Sequence, residues 1–539
     1  MSTATTAVQA TPGSDRVDPL FLQVVWKRLV ATMDAAAGTM RRTAVSTLVR
    51  ECNDFGLVLT DARGRSVAEP GGALPGPENM VQYVIEHTEH MSPGDVFICN
   101  NAWEGTGHIH DICLVAPIFS GDRLVGFAAG SAHSPDIGGR FIGMHNQSVF
   151  EEGLQIPLAR LYAAGVPNQL VFDFLRGNVR FPQELEGDLE AQMAACRSIS
   201  QRTLDLLEEY ELDDLSGIAN AIIAYTQRAM RSALAQLPDG EWEADYIVDG
   251  LEAMPVIRVR ARKTGEVISL DFAGTSLQQP WACNLPVKVT RTQCAEAMKT
   301  FLLPDLPQNH GIHVGVEVSA PAGTIVSAEY PAATGMRHVV SHGLPTLLAR
   351  IVAQIDHSLV RADPGSPGWV VHCQGIGRDG LPFSDDFLQS GGFGAGLGAE
   401  GTPPMCFPVT AQNAPIEMLE HRFPLRFLER SLREDSGGRG TWNGGPGQVI
   451  EFEVEGMDPL ECAISPTHTV APALGVSGGE PGGLGRVLLN GVELSLTELT
   501  LTLHPGDVVR LELPGGGGFG DPAARGTAAA QEQAQKGSK

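Results

Sequence analysis

The sequence predicts a multi-domain α+β protein with mixed β-sheets, long helices and a glycine-rich β region at its C-terminal end. At 539 residues the chain is too long for one ordinary hydrophobic core. A strongly helical stretch at 182–235 is followed by strand-like alternation at 240–275, and glycine-studded short strands begin at 437. The 63 glycines and 36 prolines indicate many loops and an irregular architecture.

The chain shows no fixed-period repeat and no long linker, so we expect closely packed domains. The predicted segments are a disordered tail at 1–16, an α+β domain at 17–180, a helical segment at 181–238, a central α+β domain at 239–435, a glycine-rich β region at 436–522 and a disordered tail at 523–539.

Composition excludes several functional classes. A hydrophobic content of 43% with 19% charged residues is typical of a globular protein. A net charge of −25 argues against nucleic acid or an anionic membrane as partner. The nine cysteines are odd in number and form no CxxC pair, which predicts buried free thiols in a reducing cytoplasm. The N-terminus does not resemble a signal peptide, and no apolar run is long enough to span a bilayer.

The first elements have clear start signals. Asp18-Pro19 places a capping carboxylate and a proline at the beginning of a helix. A second helical run, Thr39 to Arg50, is expected after Gly38. The pattern further along predicts a strand and turn at 54–64, a helix at 79–91, a strand at 94–99, two long helices at 182–235 broken near 212–216, strands at 245–251, 256–262 and 267–272, and helices at 288–303 and near 341–355.

Two polar motifs flank a predicted strand–turn–strand unit. The first is Gly105-Thr-Gly-His-Ile-His-Asp111 and the second is His133-Ser-Pro-Asp-Ile-Gly-Gly139. Between them, 112–119 and 124–129 are apolar strands joined by the turn 120–123. Such a unit returns its two ends to one place, so the motifs should lie side by side.

The two motifs contribute His108, His110, Asp111, His133 and Asp136. Imidazoles and carboxylates beside glycine backbone are typical of a site for a hard-to-borderline divalent metal. Any one of them could instead be a turn residue that satisfies backbone groups, but the set together favours a metal. His110 is the weakest member and is expected to support rather than bind the ion.

Other chemical candidates are less specific. Asp54 could cap a turn or supply a further metal oxygen, whereas the pair Glu151 and Glu152 is more typical of a surface. His338 and His342 would share a helix face, either in a core or in a pocket wall.

The glycine stretches 391–396 and 515–518 do not have the spacing of phosphate-binding loops, and no GxxxxGK[ST] occurs. No GxSxG elbow supports serine hydrolysis either.

Taken together, these motifs resemble the hydantoinase B/oxoprolinase family over about residues 18–522. The family includes the B-type subunits of ATP-dependent hydantoinases, the C-terminal half of 5-oxoprolinase, a caprolactamase subunit and large subunits of acetone and acetophenone carboxylases. The resemblance rests on ordered landmarks: Ser46–Asp54, Gly94-Asp-Val96, 105–111, 133–139, Glu152-Gly-Leu-Gln-Ile-Pro157, Gly274-Thr-Ser276, Asn284, Pro307–Gly311, Asn413–Glu417, Asp435-Ser-Gly-Gly438 and the terminal Pro-Gly-Gly-Gly-Gly-Phe-Gly-Asp-Pro.

The resemblance implies a metal site on Asp54, His108, Asp111, His133 and Asp136. His108, His133 and Asp136 are the preferred direct ligands, and Asp111 or Asp54 is the expected catalytic general base. The metal would be zinc, manganese or iron. The resemblance also places the ATP site on a separate A-type subunit, so a heteromeric complex is expected.

The implied chemistry is ATP-coupled. Our first hypothesis is the metal-bearing B-type subunit of a cyclic amide hydrolase for a hydantoin, 5-oxoproline or a lactam, in which the metal activates water. The alternative is a subunit of an ATP-dependent ketone carboxylase. A third hypothesis, from a different class, is a non-catalytic scaffold that only binds the A-type subunit.

Overall fold

The computed structural model describes residues 18–71, 76–140, 143–251, 253–407, 411–495 and 499–526. The predicted tail at 1–16 and most of the tail at 523–539 lie outside these ranges. The described residues form helices α1 Pro19–Thr43, α2 Thr47–Arg50, α3 Glu78–His87, α4 Val149–Glu152, α5 Gln169–Asn178, α6 Pro182–Glu209, α7 Ser216–Gln236, α8 Val287–Leu302, α9 His338–Ser341, α10 Gly343–Asp356 and α11 Ile416–Arg422. Short 3₁₀-helices lie at His310–His313, His357–Leu359 and Pro522–Ala524.

The strands of the described residues form four sheets, which confirms the α+β class. They are β1 Phe55–Asp61, β2 Ser66–Ala68, β3 Val96–Cys99, β4 Asp111–Ser120, β5 Arg123–His133, β6 Ala159–Ala163, β7 Val166–Pro167, β8 Gly240–Ile247, β9 Val256–Thr264, β10 Val267–Asp271, β11 Val316–Ser319, β12 Trp369–Ile376, β13 Pro382–Gln389, β14 Leu425–Arg433, β15 Gly447–Val454, β16 Leu460–Ser465, β17 Arg486–Leu489, β18 Val492–Glu493, β19 Thr500–Leu503 and β20 Val508–Glu512.

The sheet orders are β2-β1-β5-β4-β3-β6-β7, β11-β10-β9-β8, β13-β12-β16-β19 and β14-β15-β20-β17-β18. The parallel pair β10–β11 makes the second sheet mixed. One hydrophobic core joins α1, α6 and α7 to the first sheet, and a second joins α8 and α10 to the second sheet. A third core lies between the last two sheets.

The first helix begins as expected but ends later. The Asp18 carboxylate accepts hydrogen bonds from Leu20 and Phe21, so the predicted cap is confirmed. The predicted break at Gly38 is wrong, because α1 continues to Thr43 and only the short α2 follows. The interruption comes at Val45 and Ser46, whose backbone N–H groups both donate to the buried carboxylate of Asp188. The break between α6 and α7 lies near 212–216, as predicted.

The glycine-rich segments are packing elements rather than loops open to a ligand. The backbone N–H groups of Gly515, Gly516, Gly517 and Gly518 donate to four different segments, at the carbonyls of Gly483, Gly445, Asp363 and Glu480. A Cβ atom on any of these four glycines would overlap neighbouring backbone. Glycine is required here because several main chains run too close together for side chains.

The remaining global expectations can be compared directly. All nine cysteines are free thiols, and eight of them are buried. Among the described residues, no helix combines the length and the apolar content needed to cross a bilayer.

Candidate metal centre

Strands β4 and β5 bring the two polar motifs together. They pair antiparallel, and Asp111 at the start of β4 lies directly opposite His133 at the end of β5. The loop 105–110 precedes β4 and delivers His108 to the same end of the sheet. The local prediction of a strand–turn–strand unit with converging ends is therefore confirmed.

Three side chains meet at this end of the sheet. Asp111 Oδ1 lies 2.7 Å from His108 Nε2 and 3.2 Å from His133 Nδ1. All three side chains are largely buried, with 7% of His108 and Asp111 and 11% of His133 exposed. Two imidazoles and a carboxylate that offer ligand atoms within 4.8 Å of one another can hold a divalent ion.

The hydrogen bonding of His108 fits a metal ligand. Its Nδ1 lies 3.1 Å from the carbonyl oxygen of Gly335, so Nδ1 carries the proton and donates it. The lone pair of Nε2 then faces the carboxylate of Asp111. Burial lowers the pKa of His108 to about 4, which keeps the ring neutral. A cation between these two acceptors would satisfy both.

Arg337 completes the surroundings of Asp111, and sequence reasoning missed it as a site residue. Its guanidinium donates to Asp111 Oδ2 at 3.0 Å, so both carboxylate oxygens are engaged. Gly107 has a φ of 102°, and a Cβ atom there would come within 2.7 Å of Arg337 Cδ. This glycine therefore makes room for the arginine.

Asp386, on β13, was also missed. Its Oδ2 lies 3.7 Å from His133 Nε2, and its Oδ1 accepts from His372 Nδ1. His372 Nε2 in turn pairs with Ser384 Oγ at 3.1 Å. Asp386 thus stands behind His133 as the Gly335 carbonyl stands behind His108, in a position that orients the ring.

Asp54 lies in the same cavity. Its backbone carbonyl accepts from the N–H of His133 at 3.2 Å, which places it beside the end of β5. Burial raises the pKa of the Asp54 carboxyl to about 6. Among the described residues, no group donates a hydrogen bond to this carboxylate, whereas Asp111 has both oxygens occupied.

The structure does not bring Asp136 into the cluster. Its carboxylate forms an ion pair with Arg180 at 2.7 Å and accepts from the backbone N–H groups of Arg180, Phe181 and Gly138. Asp136 therefore holds a loop in place. His110 is buried and its ring stacks on that of His133, with centroids 5.7 Å apart, so it packs beside the ligands.

Glu152 lies in the interior, so the expectation of a surface position was wrong. Its Oε1 accepts from the N–H groups of Thr334 and Gly335 at 2.7 and 2.6 Å. This fixes the segment whose carbonyl group receives the His108 proton. Glu151 remains near the surface and pairs with Arg140 at 2.9 Å.

A cavity of about 170 Å³ opens beside the three ligand candidates. Its wall contains buried polar atoms without a hydrogen-bond partner among the described residues, namely Thr106 Oγ1, His133 Nε2, Gln293 Oε1, Arg337 Nε and Ser341 Oγ. Unpartnered buried polar groups are costly, and their concentration in one cavity indicates a binding site for a polar ligand. His338 and His342 line this cavity too, which supports the pocket-wall alternative for them.

The comparisons with known proteins agree with this architecture. Residues 18–522 match the family profile described as Hydantoinase B/oxoprolinase. The chain is 29% identical to a putative D-/L-hydantoinase B-type chain of Pseudomonas sp. (strain NS671), over 95% of this chain and 91% of that protein.

Two solved structures have the same fold. The ATP-dependent caprolactamase of Pseudomonas jessenii aligns with a TM-score of 0.86 at 24% identity, over 97% of this chain and 94% of that one. Nucleotide-free acetone carboxylase aligns with a TM-score of 0.83 at 19% identity, over 94% and 76%.

Proposed function

Because this chain belongs to the hydantoinase B/oxoprolinase family, we propose that it is the metal-bearing B-type subunit of an ATP-dependent cyclic amide hydrolase. It would act with an A-type subunit that binds ATP. The observation that carries the proposal is the His108–Asp111–His133 cluster opening onto a cavity with unpartnered polar atoms among the described residues.

The donor set fits a divalent ion. His108 Nε2, Asp111 Oδ1 and His133 Nδ1 would hold it, and Asp386 and the Gly335 carbonyl would orient the two rings. Such an ion supplies Lewis-acid chemistry and lowers the pKa of water. Zinc, manganese and iron all suit two imidazoles and a carboxylate. Asp136 is left out of this ligand set because its oxygens are occupied elsewhere.

Asp54 is the best general base in the cavity. Its carboxylate has no hydrogen-bond donor among the described residues, and a pKa of about 6 leaves it ionised at neutral pH yet basic enough to take a proton. Asp111 is less suited to this role, since His108, His133 and Arg337 already contact it. Arg337 Nε, Thr106 Oγ1 and Ser341 Oγ have no partner in the described part of the chain and can donate to the oxygens of an amide or phosphate group.

These roles suit an amide activated next door. An amide carbon is a weak electrophile, and transfer of a phosphoryl group from ATP to the amide oxygen would give an imidate phosphate and ADP. Water would then add to the imidate carbon while Asp54 takes its proton. Asp54 would return that proton to the ring nitrogen, which leaves as an amine, and the acyl phosphate would be hydrolysed to carboxylate and phosphate.

The test is a substrate panel with the complex reconstituted from this chain and its A-type partner. We expect ATP-dependent ring opening of a hydantoin, a lactam or 5-oxoproline, with release of ADP and phosphate. We expect no turnover by either subunit alone, and Asp54→Asn should lower kcat more than it changes KM. ATP turnover that requires a ketone and bicarbonate, without response to any cyclic amide, would instead establish the carboxylase alternative.

A further inference from the structure

A second group of metal-ligating side chains lies outside the candidate centre. It consists of Glu78, the first residue of α3, and His310 and His313 on the 3₁₀-helix. Side chains three residues apart eclipse one another on a 3₁₀-helix, so both imidazoles project on the same side. Their ligand atoms and a carboxylate oxygen of Glu78 lie within 4.8 Å of one another.

The carboxylate of Glu78 is held firmly in this group. Its Oε1 lies 2.5 Å from His310 Nδ1 and accepts from Gln82 Nε2 at 3.2 Å. Its Oε2 accepts from Ser66 Oγ at 2.6 Å. These contacts orient the carboxylate toward the two histidines, as outer hydrogen bonds do around known metal ligands.

His313 is the member whose position a hydrogen bond does not explain. It is half-buried and faces Glu78 and His310, with its ring centroid 5.7 Å from that of His310. Among the described residues, no group hydrogen-bonds its ring nitrogens. Burial lowers the pKa of His313, which favours the neutral imidazole that can bind a metal. The nearby Arg65 is already paired with Asp61.

We propose that Glu78, His310 and His313 form a second divalent-metal site, with zinc as the ion of matching ligand chemistry. His310 is 31% exposed, which leaves a path for the ion and a free position for water. Pro77 and Asn79, on either side of Glu78, line the cavity of the first site. An ion here would tie the 3₁₀-helix to the start of α3 and so fix one wall of that cavity.

The test is the zinc stoichiometry of the purified full-length chain, measured by dialysis against zinc and elemental analysis. We expect two equivalents in the wild type and one in His313→Ala. His108→Ala should also retain one, because it removes only the first site. His90→Ala, which deletes an exposed imidazole away from both sites, is the matched control and should retain two.

Thermal unfolding with and without zinc separates the sites further. Zinc should still raise the midpoint of His108→Ala, whereas the double variant His108→Ala/His313→Ala should show no response. His313→Asn provides the same readout if the alanine variant folds poorly. A wild-type stoichiometry of one that His108→Ala abolishes, or two equivalents retained in both His313 variants, would overturn the second site. The proposed amide hydrolase function does not depend on this outcome.

Discussion

The hairpin β4–β5 and the glycine-rich C-terminal region both contain glycines beside functional-looking sequence, but the glycines do different work. Gly107 leaves space for the side chain of Arg337, which binds a ligand candidate. Gly444 leaves space for the carbonyl of Gly516, which is another main chain. A glycine therefore indicates close approach, and only the identity of the approaching group decides between a site and a packing contact.

The largest expected effect separates the hairpin site from its surroundings. His108→Ala should lower ATP-dependent turnover of the complex by at least about a thousandfold and remove one metal equivalent, because it deletes a ligand. The midpoint of thermal unfolding should change little. Asp136→Asn is the matched control from the neighbouring motif. It should keep the metal, and loss of metal from this variant would return Asp136 to the ligand set.

The second prediction tests the glycine-rich region. Gly444→Ala should destabilise the fold by roughly 3 kcal/mol or more, since the new methyl group would overlap the Gly516 carbonyl. Urea unfolding measures this directly. Gly217→Ala, on α7 where a Cβ atom meets nothing within 4 Å, should be neutral or slightly stabilising. Equal stability of the two variants would contradict the packing role.

The third prediction concerns the contribution of β13 to the hairpin site. Asp386→Asn should weaken metal binding ten- to a hundredfold, on the order of what outer hydrogen bonds contribute. Competition with a chelator provides the measurement. The adjacent Asp385 is bound to Arg422 at 3.1 Å, so Asp385→Asn should reduce stability and leave metal affinity unchanged. If both variants bind metal like the wild type, Asp386 does not orient His133.

The smallest expected effect lies on the cavity wall opposite the ligands. Burial raises the pKa of Glu296 from 4.5 to about 8, and Lys299 and the hydrogen bond from Gln308 only partly offset this. The folded state therefore holds the proton more tightly than the unfolded state, and wild-type stability falls as pH rises from 4.5 to about 8.

Glu296→Gln cannot ionise and keeps the contact with Gln308. Its advantage in unfolding free energy should be absent below pH 4.5 and should widen by up to about 1.4 kcal/mol per pH unit above it. Urea unfolding across this range is the measurement, with the exposed Glu317→Gln as control. A difference that does not vary with pH would rule out the raised pKa.

The sequence by itself determined the fold class, most of the helices and strands, and the meeting of His108, Asp111 and His133. Each of these is a local property: capping residues, periodicity, and a two-strand unit whose ends return to one place. The family resemblance came from ordered motifs and needed no geometry. The domain boundaries, the metal and the compartment remain predictions.

Only the tertiary structure decided which acid completes the metal cluster. Asp111 and Asp136 stand at equal spacing from a histidine, but the strand register places Asp111 opposite His133, whereas Arg180 on a distant segment engages Asp136. Arg337 and Asp386 reach the site from more than 200 residues along the chain, with no local signal. Side-chain direction and long-range contact depend on how whole elements pack, and a linear pattern does not encode that.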